Sequence, residues 1–127
     1  MLDHIEIFVS DASRSRAFYD NALKPLGLAV VRAVGTTVAA LGYGFDTPFF
    51  WVTPSVTRTG PLHVAFAART REMVDAFHAA GIAAGGQDNG APGLREYYAP
   101  NYYGAYVLDP DGHNIEAVCR APAEFGN

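Results

Sequence analysis

Of the 127 residues only one is a cysteine, Cys119, only one is a lysine, Lys24, and 17% are charged. A lone thiol excludes an internal disulfide and fits a reducing compartment. Nine basic residues against thirteen acidic ones leave a formal charge of −4, with no Lys/Arg cluster to offset it. Nucleic acid and anionic membrane surfaces are therefore not expected partners. No run approaches the ~18 apolar residues of a membrane span. The opening "MLDHIEIF" is charged from its third residue and lacks a signal-peptide apolar stretch, so a cytoplasmic location is expected. Half of the residues are hydrophobic, which at this length allows one globular domain, residues 1–127, with a real core.

What is present is a pattern that occurs twice. Residues 2–9, "LDHIEIFV", alternate: Ile5, Ile7 and Val9 face one way, His4, Glu6 and Phe8 the other. Ser10 or Asp11 offers an N-cap for "ASRSRAFYDNAL", a helix expected to turn Ala17, Phe18 and Leu23 inward, and "KPLG" stops it. Strands are expected at about 28–34, 36–43 and 48–53. A second strand at 61–68 leads to the helix "RTREMVDAFHAAG", capped by Thr70 and stopped by Gly81. "IAAGGQ" reads as a short strand, "DNGAPGLREYYAPN" as an irregular loop, and 102–109 and 113–119 as closing strands. A shift of 59 residues superposes His4 on His63, Ile7 on Phe66 and Phe18 on Phe77 without a gap. The order is β-α-β-β-β, twice. The expected fold is α+β: two βαβββ modules, about 1–58 and 59–120, with a short tail, whose curved mixed sheets enclose a cavity.

Three side chains could share one job. His4 and His63 stand at matched places on the face away from the helices. The last strand carries Glu116 between Ile115 and Ala117, after the turn "DPDG". Taken singly, each histidine also fits a satisfied core or edge residue. Glu116 also fits a solvated edge carboxylate or a salt bridge to Arg95 or Arg120. Together, two imidazoles and a carboxylate make a facial set that leaves positions open on Fe(II), Mn, Ni or Zn. A divalent ion would also remove the cost of burying Glu116. His78 and His113 read as surface residues, and Cys119 as a small buried one.

"LDHIEIFV", "PLHVAF" and "LDPDGHNIEAV" resemble the vicinal oxygen chelate superfamily over essentially the whole chain. That superfamily includes glyoxalase I, extradiol dioxygenases, fosfomycin-resistance thiol transferases and bleomycin-resistance proteins. The resemblance implies a divalent metal held by His4, His63 and Glu116, a small substrate bound through adjacent oxygens, and lyase/isomerase or ring-cleaving dioxygenase chemistry. It further implies a homodimer, in which His4 can come from one chain and His63 and Glu116 from the other. Glyoxalase I has a fourth ligand on the last strand of its first module. Here "TPFFWV" offers Phe50 and Trp51, which cannot ligate and are expected as cavity wall.

"YVLDPDGHNIE" matches half of the extradiol signature and puts Tyr106 in the tyrosine's place, as an acid–base or hydrogen-bonding partner. The histidine expected upstream is absent from "YYAPNYYG". The loop offers Arg95, Tyr97, Tyr98, Tyr102 and Tyr103 for substrate binding, or tyrosines for a dimer contact. The rival from another class is a bleomycin-resistance-like protein that binds an antibiotic or other small ligand without chemistry. A fosfomycin-type transferase ranks third, because the basic residues of its phosphonate grip are reduced here to Arg95 and Arg120.

Overall fold

A computed structural model describes residues 1–36, 39–57 and 60–123. Strand β1 (Ile5–Val9) buries Ile7 and Val9 and leaves Glu6 exposed, following the alternation in its sequence. Helix α1 (Ala12–Ala22) starts at Asp11, whose Oδ1 accepts the Arg14 N–H at 3.0 Å. A 3-10 turn at Lys24–Leu26 ends on Gly27, with φ +84°, as "KPLG" requires. Strands β2 (Ala29–Val34), β3 (Ala40–Gly44) and β4 (Pro48–Pro54) complete module one. Module two repeats the order with β5 (His63–Ala67), α2 (Arg71–Ala83), β6 (Gln87–Leu94), β7 (Tyr103–Leu108) and β8 (Asn114–Cys119). Each module forms one mixed sheet, in the order β1-β4-β3-β2 or β5-β8-β7-β6, with only the first pair parallel. Residues 37–38 of the strand expected at 36–43, the 58–59 module boundary and the last four tail residues lie outside the described residues.

Several expectations are corrected. Helix α2 does not stop at Gly81 but runs through it to Ala83, because Gly81 keeps helical backbone where α2 packs on Val107 and the positive φ that ends a helix comes only later. The chain turns instead at Gly85, with φ +99°, and at Gly86, where a Cβ would fall 2.4 Å from Val107 and 2.6 Å from Phe18. "IAAGGQ" is thus helix end and turn rather than strand, and β6 is built from the segment expected as loop. Pro92 and Gly90 are tolerated there because β6 is an edge strand whose register slips at Gly90. On α1 the buried stripe is Ser15, Phe18, Tyr19 and Ala22, followed by Leu23; Ala17 is exposed.

One core serves both modules. Phe50 of β4 meets Tyr19 at 5.3 Å and Phe66 of β5 edge-to-face at 5.1 Å. The seam is also polar. Asp109 accepts the Asp111 and His113 backbone N–H groups at 2.9 and 2.8 Å, and its other oxygen accepts the Tyr19 hydroxyl at 2.5 Å. Burial first, then the Asp109 charge, holds the Tyr19 phenol well above its ordinary range. His113 is buried, not on the surface: Nδ1 accepts the Leu62 N–H, so Nε2 carries the proton donated to the Phe8 carbonyl. His78 pairs with Asp88 at 2.9 Å, and Cys119 is buried as expected. Among the described residues no helix is long and apolar enough to cross a membrane.

Candidate functional site

On the sheet face away from the helices, β5 and β8 run parallel with His63 opposite Asn114 and Ala65 opposite Glu116. Glu116 is 1% exposed despite its charge. Its Oε1 lies 3.1 Å from His63 Nε2, and its Oε2 accepts a short hydrogen bond from the Tyr102 hydroxyl. His63 Nδ1 is 2.9 Å from the Asn114 carbonyl, which can only accept, so Nδ1 carries the proton. In the neutral ring, the Nε2 lone pair then faces a carboxylate oxygen. Two acceptors that close require positive charge between them, either a proton or a cation. An imidazole oriented by an acceptor at Nδ1, with a carboxylate at hand, is a donor set suited to Zn, Ni, Mn or Fe(II).

Around this pair the strand sequence sets a wall of rings. Tyr106 of β7 is directly opposite Glu116 and stacks beside His63 at 6.2 Å. Burial, then the Glu116 charge, raises its phenol pKa. Tyr102 is raised by burial and by its bond to Glu116. Both phenols therefore keep their protons and act as donors. Tyr98 packs on Tyr102 at 5.2 Å, and the Arg120 guanidinium lies 4.9 Å from the Tyr102 ring centre. These groups line a cleft of about 500 Å³. Gly104 keeps it open, since a Cβ there would be 3.2 Å from Glu116 Oε2.

A sequence model of the glyoxalase/bleomycin resistance protein/dioxygenase superfamily matches residues 1–117. The chain belongs to this superfamily. A glyoxalase/bleomycin resistance protein from Albidiferax ferrireducens T118 is 34% identical, with a TM-score of 0.79 over 95% of this chain and 99% of its own. A glyoxalase I variant from Zea mays is 25% identical, with a TM-score of 0.68 over 92% of this chain and 46% of that one. A superfamily enzyme from Burkholderia phytofirmans PsJN shares the fold at 20% identity, with a TM-score of 0.69 over 94% of this chain and 98% of its own. Comparison with curated proteins finds no match.

Of the three residues expected to hold a metal, the structure joins His63 and Glu116, with Tyr102 and Tyr106 beside them. It leaves His4 apart. The His4 Nδ1 is 2.7 Å from Asp3 Oδ1, and the side chain is half exposed. Among the described residues of one chain, no three His, Cys, Asp or Glu side chains converge to hold a metal. His4 and His63 do line a common apolar groove of about 490 Å³ between β1 and β5, with Phe49, Phe50 and Phe66. Register separates the two aromatic candidates on β4. Trp51 pairs with Glu6 as Glu116 pairs with Ala65, so Trp51 holds the position that matches Glu116. Phe50 faces the core and is fully buried.

The loop candidates divide as well. Arg95 is spent on the backbone: Nη1 donates to the Gly93 and Gly104 carbonyls at 2.7 and 2.9 Å, and Nη2 to Ala91 at 2.8 Å. Tyr97 is 79% exposed. Tyr103 points to the helix side, where its hydroxyl donates to Asp75 at 2.6 Å and Arg71 covers its ring. Asn114, whose backbone carbonyl orients His63, was not foreseen, since a backbone acceptor leaves no mark in the sequence.

Proposed function

We propose that the protein is a metal-dependent enzyme acting on a small molecule through two adjacent oxygens, in a site shared between two copies of the chain. His63 and Glu116 of one copy and His4 of the other would hold the ion. The observation that carries this reading is the His63–Glu116 pair: a buried carboxylate and the lone-pair nitrogen of an imidazole, fixed 3.1 Å apart at the floor of an open cleft. The same orientation recurs at His4, where Asp3 takes Nδ1 and leaves Nε2 as the ligand atom. A bound divalent ion would polarise the substrate oxygens and stabilise charge developing on them, in isomerase/lyase or ring-cleaving chemistry.

The chain's own residues do the rest. Tyr106 holds its proton beside Glu116 and can donate it to an oxygen entering the cleft, while the Tyr102 hydroxyl is committed to Glu116 Oε2. Tyr98 packs on Tyr102 along one side of the cleft. Arg120 gives the cleft a positive rim.

A second reading also has an observation behind it. A protonated His63 together with the Tyr102 hydroxyl would satisfy Glu116 without a metal, and the groove between β1 and β5 would then serve ligand binding alone, as in bleomycin resistance. Metal analysis of tag-free protein separates the two. The enzyme reading expects about one divalent ion per chain, lost in His63→Ala, and turnover of a catechol or a hemithioacetal. It also expects that mixing His4→Ala and Glu116→Ala copies restores metal binding that each lacks alone. No metal, and no thermal stabilisation by Fe(II), Mn, Ni or Zn, would leave the binding protein.

A further inference from the structure

The polar groups that the cleft above Glu116 offers to a ligand are donors. Among the described residues that line it, Glu116 is the one carboxylate, and His63 and Tyr102 occupy both of its oxygens. Asn114 gives its Oδ1 to the Asn89 amide at 3.2 Å, which leaves its own N–H groups to donate. Arg120 adds a full positive charge. It stands four residues beyond Glu116 along β8, an even step that returns it to the same face. Its side chain is exposed, and among the described residues no acceptor takes its N–H groups. The guanidinium is held all the same, 4.9 Å from the centre of the Tyr102 ring. That ring is fixed in turn by its hydroxyl on Glu116 and by Tyr98 packed at 5.2 Å. Arg95 makes the contrast. It lies 5.4 Å from the Tyr106 ring centre, yet its N–H groups are spent on three backbone carbonyls.

We propose that Arg120 anchors a carboxylate of the substrate, so that the cleft takes a small carboxylic acid with two adjacent oxygens at its other end. This rests on the site proposed above, whose metal end is marked by His63 and Glu116. A guanidinium with a free fork binds a carboxylate through two parallel hydrogen bonds, and one already packed on a ring has little freedom left to lose. Tyr102 sets the spacing. Its hydroxyl meets Glu116 and its ring lies beside Arg120, so the two ends of the substrate stand about one aromatic ring apart. In 3,4-dihydroxybenzoate the catechol oxygens and the carboxylate are separated by one ring. Arg120 is therefore a specificity residue, and its exposure makes the attraction sensitive to salt.

Calorimetric binding of 3,4-dihydroxybenzoate and of the neutral 3,4-dihydroxybenzamide, with and without Co(II) and in the absence of oxygen, tests this. Wild-type protein is expected to bind the acid about tenfold more tightly than the amide, with the preference shrinking as salt rises. Arg120→Gln is expected to abolish the preference at unchanged Co(II) content, and Arg120→Lys to keep part of it. Tyr102→Phe, which leaves the ring beside the guanidinium, is expected to retain it. Equal affinity for acid and amide in wild type, or a preference that survives Arg120→Gln, would overturn the anchor; loss of both probes in His63→Ala would then leave the metal site standing. Failure of both probes to bind wild-type protein would overturn the substrate class. An Arg120-dependent preference that needs neither Co(II) nor His63 would keep the anchor and overturn the metal reading.

Discussion

On β7 of module two a glycine makes room for a carboxylate; on β3 of module one a glycine makes room for an indole. A Cβ on Gly104 would lie 3.2 Å from Glu116 Oε2. A Cβ on Gly42 would lie 2.7 Å from Pro48 and 2.9 Å from the Trp51 ring. The two sheets share order and pairing, yet one open face carries His63, Glu116, Tyr102 and Tyr106, while the other carries His4, Glu6 and Trp51. Duplicating a module copies its hydrogen-bond ladder and its core face, because packing constrains both. The open face is free to diverge, and there the modules differ in which strand bears the acid.

The two modules are held in one frame, and breaking that frame has the largest expected effect. Asp109 in module two is gripped by Tyr19 from module one. Asp109→Ala strands that hydroxyl and two backbone N–H groups in a buried setting. Unsatisfied buried donors cost about 1–3 kcal/mol each before water relieves some of them, so a loss of about 3 kcal/mol is expected. In a domain of this size that lowers the melting temperature by about 10 °C. Tyr19→Phe removes one bond and is expected to cost about 1 kcal/mol. Chemical denaturation measures both, and equal losses in the two variants would show that the backbone of the "DPDG" turn does not depend on Asp109.

The glycines sharpen the contrast at an intermediate scale. Gly42→Ala drives a methyl into an indole and a proline ring and is expected to cost about 2 kcal/mol, within the usual range for overpacking. Metal binding should be little affected. Gly104→Ala needs a shift of a few tenths of an ångström and is expected to cost about 1 kcal/mol or less. That shift falls on the Glu116 carboxylate, so metal affinity should drop. Stability and Zn or Co(II) affinity, measured on both variants, should move in opposite proportion; a parallel response would mean that the two faces are not functionally distinct.

Period-two alternation and the 59-residue shift disclosed β1, β5, both helices, and the faces of His4, His63 and Glu116, because burial leaves its mark along the chain itself. β6 was hidden because Gly and Pro read locally as loop, while its strand character comes from pairing with β7. His113 was hidden for a similar reason. A histidine in a turn looks exposed until the Leu62 and Phe8 backbone groups, far away in sequence, take both ring nitrogens. The site was legible as a set of residues and not as an assembly. Asn114 and Gly104 act by backbone position, which carries no compositional signal. The division of the tyrosines follows from strand parity, visible only once the start of β7 is known.

That parity gives the finest test. Tyr102 and Tyr103 are neighbours with opposite assignments. Tyr102 donates to Glu116 in the cleft, and Tyr103 donates to Asp75 on α2. The bond to Asp75, then burial, pushes the Tyr103 phenol up to about 12. A phenol raised in the folded state stabilises fully below its unfolded value near 10, and the contribution is lost as pH rises through 12. Tyr103→Phe should therefore flatten the fall in stability between pH 10 and 12 and leave metal affinity at neutral pH unchanged. The effect is small, because Tyr103 is partly exposed and solvent screens its partner. Tyr102→Phe should do the reverse at neutral pH, altering metal affinity because Glu116 Oε2 loses its donor. Denaturation curves at stepped pH, set beside Co(II) titrations, read both variants. If Tyr103→Phe weakened metal binding as much as Tyr102→Phe, the helix face and the open face of β7 would be coupled, and the division of labour between adjacent residues would not hold.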